Sequence, residues 1–461
     1  MKCIKLFMLS LLLMTGSLAT ANNLQITNVT ATTSSIQFNI SWENSWRVST
    51  APKNHDAVWI FIKRIDCATN QWSHVDLSPS AGNHYADDPL EIYIDGRDGA
   101  AAAKGLFLRR KADGVGNIVD DSISINIINM PAGEFDFEVF GIEMVQIPEG
   151  SFYLGDGASQ NSFRSSSNNN PRLVNNESSI SSTTLRSINS YPPTTLPTAY
   201  PKGYKEIYCM KYEITQGQYI SFLNALQYDQ AADRNVPALG SNRFIYTGSW
   251  PNFVSTTPHR AMTNMIWDDM AAYLDWSALR PMTELEFEKI ARGPSYPVAN
   301  EYAWGNTSIT KVAGLSNDGT PAESSSTTVA PGHGTATYAG TPAGPNGPLR
   351  SGFAAKPGTN RVSSGAGYYG VMDLSGNVTE MTVGTYTSAA SSFTGKLGNG
   401  EISTTPAPGL PDVTGWPNYS GRTLKGGSWQ SPIQHLSVSD RTLSNYHNNS
   451  RYNYVGGRGV R

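Results

Sequence analysis

The side chains with most chemistry to offer in this 461-residue chain are three cysteines, seven histidines and a tyrosine- and asparagine-rich stretch near the C-terminus. A thiolate is a nucleophile and a soft metal ligand, and the cysteines stand at Cys3, Cys67 and Cys209. Cys67 and Cys209 fall in different segments, so two unpaired buried thiols are expected, although an oxidising compartment would allow them to pair. The histidines, at 55, 74, 84, 259, 333, 435 and 447, show none of the H-x-H, H-x-x-x-H or H-E-x-x-H spacings that aim two rings at one ion. His435 and His447 share the C-terminal region and read as solvated surface side chains. No G-x-S-x-G, P-loop or Rossmann signature is present. The stretch from Ser444 to Tyr454 carries Asn445, Tyr446, Asn448, Asn449, Arg451, Tyr452 and Tyr454. Rigid amphipathic rings beside adaptable amides are what recognition loops use, so these residues are candidate ligand contacts for a protein or glycan. An ordinary solvated loop is the plainer alternative.

These groups need a frame, and the composition describes it. Only 15% of residues are charged, while 43 Gly and 27 Pro predict many turns and loops. Ten Trp and 22 Tyr are enough to fill cores, which excludes a disordered chain. A net charge of −3 lacks the basic footprint of a nucleic-acid binder. Met1 to Ala21 has Lys2 and Lys5, an apolar run from Leu6 to Met14 and the exit Ala19-Thr20-Ala21. That order is a secretory signal, too short to span a bilayer, and no later segment approaches spanning length. The mature chain is therefore expected to be exported: periplasmic, secreted or held at the cell surface by a partner. Cys3 would leave with the signal.

From 22 to 140 the apolar residues alternate, as in Ile36, Phe38, Ile40 and Trp42, and Asp95-Gly96 and Asp113-Gly114 supply turns. Val58-Trp59-Ile60-Phe61-Ile62 is continuous, which suits a strand covered on both faces. The spacing predicts an all-β sandwich. Residues 158–201 and 306–366 are rich in Ser, Asn, Thr, Gly and Pro and read as loop insertions, the first of them mobile. Between them Thr215 with Gln218 and Thr283 with Glu286 are capping boxes opening two helices, and a third helix is expected from Trp267 to about Leu279.

Eight segments then occur in one order: Met144 to Gly155, Tyr212-Glu213-Ile214-Thr215 to Leu223, Trp267 to Trp276, Arg280-Pro281-Met282-Thr283-Glu284-Leu285-Glu286, Tyr302-Ala303-Trp304-Gly305-Asn306, Gly370 to Glu380, Lys425-Gly426-Gly427-Ser428-Trp429, and Gly456-Gly457-Arg458. From about residue 141 to the C-terminus the chain resembles the formylglycine-generating enzyme, or sulfatase-modifying factor, family. The resemblance implies an irregular α+β fold related to C-type lectins, behind the sandwich. Catalytic relatives are exported oxidases that convert a sulfatase cysteine to formylglycine with copper held by two cysteines after the G-G-S-[WY] motif.

Here the pattern breaks, because Ser431 stands where the first thiolate is expected and no cysteine occurs from 210 to 461. A hydroxyl is a hard donor that cannot replace a thiolate on Cu(I). The expectation is a non-catalytic binding or structural module without copper; the alternative is an oxidase of the same family using another site. The related sulfoxide synthases take iron ligands from a helical partner domain, which a sandwich cannot supply. Gly457 also departs from the family, which usually has Phe there. One family site does carry over. In Asp373-Leu374-Ser375-Gly376-Asn377-Val378-Thr379-Glu380, relatives hold a structural calcium at the positions of Asp373, Gly376, Val378 and Glu380, all hard oxygen donors. The alternative at Asp373 is a turn in which it caps its own backbone.

Overall fold

A computed structural model describes residues 23–461 except 167, 237–242, 342 and 406. The predicted signal lies outside the described residues. Nine strands open the chain: β1 (Gln25–Ala31), β2 (Ser35–Arg47), β3 (Asp56–Asp66), β4 (Trp72–His74), β5 (Tyr85–Ala86), β6 (Leu90–Tyr93), β7 (Leu106–Arg110), β8 (Gly114–Asn126) and β9 (Phe135–Ile147). β1, β2, β8 and β5 form one sheet in that order. The other sheet continues beyond residue 140: it takes in β10 (Ile207–Met210), β11 (Arg280–Pro281) and, at the C-terminus, Gly459–Val460. Its order is β11, Gly459–Val460, β10, β9, β3, β7, β6, with β4 alongside β3.

β3 shows why the two parts share a sheet. Successive strand side chains point to opposite faces. Val58, Ile60 and Ile62 pack with Ile36, Phe38, Ile40 and Trp42 of β2 in the sandwich core. Ala57, Trp59 and Phe61 point the other way, into the core built around the helices. Phe61 meets Trp276 edge-on at 5.1 Å, and Trp59 Nε1 donates to the Ser277 carbonyl at 2.9 Å. The continuous apolar run is thus a strand buried on both faces. The sequence boundary at 140/141 falls inside β9, which pairs with β3 over Asp56–Asp66 and with β10 over Met144–Ile147.

Four helices support the far face: α1 (Gln216–Asn224), α2 (Tyr228–Arg234), α3 (Trp267–Trp276) and α4 (Glu284–Arg292). Both expected capping boxes form, with Thr215 accepting from Gln218 N and Thr283 from Glu286 N. α3 ends three residues earlier than expected. The Ser277 hydroxyl donates to the Tyr273 carbonyl at 2.8 Å, and Ala278 turns to a φ of 56°.

Residues 158–201 are packed rather than loose, which corrects the sequence expectation. Short strand pairs join Phe152–Leu154 to Arg172–Val174 and Phe163–Ser165 to Leu185–Ser187. Apolar residues there are few, but Phe163, Ile180, Leu185, Leu196 and Tyr200 all reach the core. Arg441 adds a clamp: its guanidinium lies 3.9 Å from the Phe163 ring centroid and donates to the carbonyls of Asn161 and Tyr191. Residues 306–366 likewise hold small cores, around Trp304 and Ala336 and around Val312, Leu349 and Phe353. Cys209 is a free buried thiol in β10, so it does not pair with Cys67.

Candidate functional site

β12 (Thr379–Val383) lies between β13 (Arg422–Lys425), antiparallel, and β14 (Val455–Gly456), parallel. The turn entering β12 carries the predicted metal residues. Asp373, Gly376 and Asn377 have φ of 61°, 100° and 59°. At Gly376 only glycine fits, since an added Cβ would lie 2.6 Å from the Thr337 carbonyl oxygen. The turn is tied to segments far apart in sequence. Gly376 N donates to Gly426 O, Trp429 N to Asn377 O, and Thr379 N to Tyr454 O, each at 2.8 Å. Ser375 Oγ accepts from Ala303 N at 3.1 Å and donates to Leu436 O at 2.8 Å.

Its charged centre includes two residues that sequence reasoning left out. Glu213 is fully buried and accepts from Asn377 Nδ2 at 2.6 Å and from Val378 N at 3.1 Å. Arg458, also fully buried, grips Glu380 with Nε at 2.9 Å and Nη2 at 2.6 Å, and donates to the Met372 carbonyl at 2.8 Å. Asp373 accepts from Gly352 N at 2.5 Å, a bond to a segment 21 residues upstream. Burial raises the carboxyl pKa of all three acids; at Glu213 the field of Asp373 adds to it, whereas at Glu380 the Arg458 guanidinium opposes it. Both missed residues lie inside motifs the sequence displays, Tyr212-Glu213-Ile214-Thr215 ahead of a capped helix and the terminal Gly456-Gly457-Arg458. Nothing in their spacing says that they meet.

The model of the sulfatase-modifying factor enzyme 1-like domain, FGE-sulfatase, matches residues 138–461. The chain belongs to this family. Comparison with curated proteins gives no match.

Elsewhere the family positions have been rebuilt. Ser431 is nearly buried and its Oγ accepts from Ser428 N at 2.9 Å and lies 3.0 Å from Ser428 Oγ, so its hydroxyl closes a local turn. The one thiol of the matched region, Cys209, lies in the sheet, where burial pushes its pKa up to about 12 and keeps it protonated. At Gly457 the space beside the backbone is filled by Met270, whose Sδ sits 2.3 Å from where a Cβ would project. Among the described residues no group of three or more His, Cys, Asp and Glu is arranged to hold a metal, and no helix is long and apolar enough to cross a membrane.

The candidate recognition residues divide. Tyr446, Tyr452 and Tyr454 come together, with ring centroids 5.6 and 5.3 Å apart along the series, and Asn448 Nδ2 donates to Tyr452 Oη at 3.0 Å. All three rings are half-buried, while Asn445, Asn448 and Asn449 are exposed around them. Arg451 is directed inward instead, to Asp269 and to the Asn264 carbonyl at 2.9 Å. His447, expected in solvent, is half-buried and stacks parallel to Tyr386 at 6.3 Å.

Proposed function

We propose that this is an exported protein whose sulfatase-modifying factor domain serves as a binding or structural module at the cell envelope, and not as a copper oxidase. The observation that carries the reading is the donor chemistry at the copper position. Ser431 offers a hydroxyl already engaged with Ser428, and Cys209 is a buried thiol held protonated. Neither supplies the thiolate that Cu(I) requires. The tyrosine cluster with its fringe of exposed asparagines gives the module a surface for a protein or glycan, and a lectin-like arrangement of the irregular fold suits that role.

Calcium fits the turn at residues 373–380 as a structural ion. Its donors are hard oxygens, the side chains of Asp373 and Glu380 and the carbonyls of Gly376 and Val378. Glu213, Asp373 and Glu380 are buried close together, and of the three only Glu380 is in direct contact with a guanidinium, so an added cation would stabilise the ionised form of the other two. Because Arg458 occupies Glu380, Asp373 is the side chain most open to an ion. Chelation should lower the melting temperature, and Asp373→Ala should abolish that sensitivity; identical melting curves with and without chelator would remove calcium from the account.

The test of the main reading is to incubate the purified protein with copper and a Cys-x-Pro-x-Arg peptide and weigh the peptide. Its mass should stay unchanged. A mass loss at cysteine that a metal chelator abolishes would overturn the proposal.

A further inference from the structure

In an antiparallel pair, backbone groups of alternate residues point to opposite neighbours. On β9, Gln146 N donates to His55 O at 3.0 Å, so the even-numbered residues bond to β3. The odd-numbered ones face the other way: Val145 lies opposite Cys209 of β10, and the Glu143 carbonyl accepts from Lys211 N at 2.9 Å. β10 then ends at Met210 and the chain turns away into α1. Val139 and Gly141 therefore aim their N–H and C=O groups into the lane that β10 has left, and among the described residues no strand pairs with them there. Both are half-buried, in the middle of an otherwise covered sheet.

The lane is an open groove. Two cavities of about 220 and 250 Å³ lie along it and share Leu24, Gly141, Ile142 and Gln218 in their linings. Leu24 and Ile26 make an aliphatic wall. Ser221 of α1 with Tyr273 and Trp276 of α3 makes the opposite, largely aromatic one. Gly141 lets the aliphatic wall approach β9, since an added Cβ would come within 3.0 Å of Leu24 Cδ2 and 3.1 Å of Ile26 Cδ1.

We infer that this groove binds an extended segment of a partner polypeptide, which adds as a strand to β9 along Val139–Gly141. Two features of the groove select that occupant. Alternating main-chain donors and acceptors along a strand edge are matched by another extended backbone, and the slot is continuous with the existing pairing of β9 to β10. The two walls receive the alternate side chains of the guest: aliphatic residues pack on Leu24 and Ile26, and the intervening ones on Tyr273 and Trp276. Proline is excluded at the alternate guest residues that bond the edge, because the edge needs their N–H.

The probe is a fluorescein-labelled peptide Lys-Val-Thr-Val-Thr-Val-Lys titrated into the intact mature protein and read by anisotropy. A version N-methylated at the alternate residues that bond the edge should bind at least about tenfold more weakly. Amide exchange at Val139 and Gly141 should slow on binding while Phe140, already bonded to β3, stays unchanged. Val139→Pro removes a donor only on the open side, a position where an edge strand tolerates proline, and should cause the same loss. If that variant does not fold, Ser221→Trp fills the groove from the helix surface and should abolish binding with an unaltered melting temperature. Equal affinity for the methylated peptide, unchanged exchange at the two amides, or no binding at millimolar peptide would overturn the inference. So would a concentration-dependent dimer that protects the same amides without peptide, since the occupant would then be a second copy.

Discussion

Between the two facing sheets, Ile36, Phe38, Ile40 and Trp42 meet Val58, Ile60 and Ile62, and apolar burial dominates the contact. Around the turn at 373–380 and the adjoining C-terminal strands, the largest fully buried side chains include five arginines, Arg292, Arg422, Arg441, Arg458 and Arg461. Four of them pair with acids: Arg292 with Glu288 and Glu301, Arg441 with Glu284, Arg458 with Glu380, and Arg461 with Asp95 and Asp98. The two regions should fail differently. Removing an apolar side chain costs transfer energy plus a cavity. Removing one member of a buried ion pair strands its partner's charge in a low-dielectric interior. Arg461 joins the regions, since its partners Asp95 and Asp98 lie in the loop between β6 and β7.

The sharpest way to break this contrast is Arg458→Met. It strands Glu380 without its ion pair and removes a favourable field from Asp373 and Glu213, and urea unfolding should show a loss of about 3–5 kcal/mol. A loss below about 1 kcal/mol would mean that the charge network is dispensable. In the sandwich, Ile60→Ala should cost about 3 kcal/mol and Ile60→Val only about 1 kcal/mol, graded by the volume removed. A third measurement separates the regions by pH. His55 bonds to Tyr208 Oη at 3.0 Å, and burial, assisted by Arg109 and Arg47, lowers its pKa to about 3. The unfolded chain then binds the extra proton between about pH 6.5 and pH 3, so this stability is complete above the unfolded value and is lost as pH falls. About 2 kcal/mol should disappear between pH 6.5 and 4.5, and His55→Gln should flatten the slope. An unchanged slope in that variant would assign the acid sensitivity to other groups. Smaller still is the cap of α4, where Thr283→Ala should lower stability by about 1 kcal/mol. Lys111→Ala, which breaks an exposed pair with Asp88, should change it by less than about 0.5 kcal/mol.

The same contrast explains what the chain discloses before folding. The alternation in β2 and the continuous run in β3 are local patterns, and each reports its own burial. The capping boxes at Thr215 and Thr283 are equally local, so both helices begin where their residues say. The short helix Tyr228–Arg234 has no apolar period to mark it. Residues 158–201 look too polar to order, because composition cannot show that Arg441, some 250 residues downstream of Tyr191, holds their carbonyls. At the candidate site, Asp373 and Glu380 are legible only through the family resemblance. Glu213 is not: it reaches Asn377 across 164 residues, and only the folded chain states such a pairing. The shared sheet was hidden for a similar reason, since strands of two to four residues from beyond residue 200 complete it.

The proposed loss of copper chemistry in this family member turns on whether the chain binds Cu(I). Copper(I) titration of the purified mature protein, in competition with a chromophoric Cu(I) chelator, tests it directly. The account predicts that the chelator keeps all of the copper. One equivalent retained by the protein and lost on mutating Cys209 or Ser431 would contradict it.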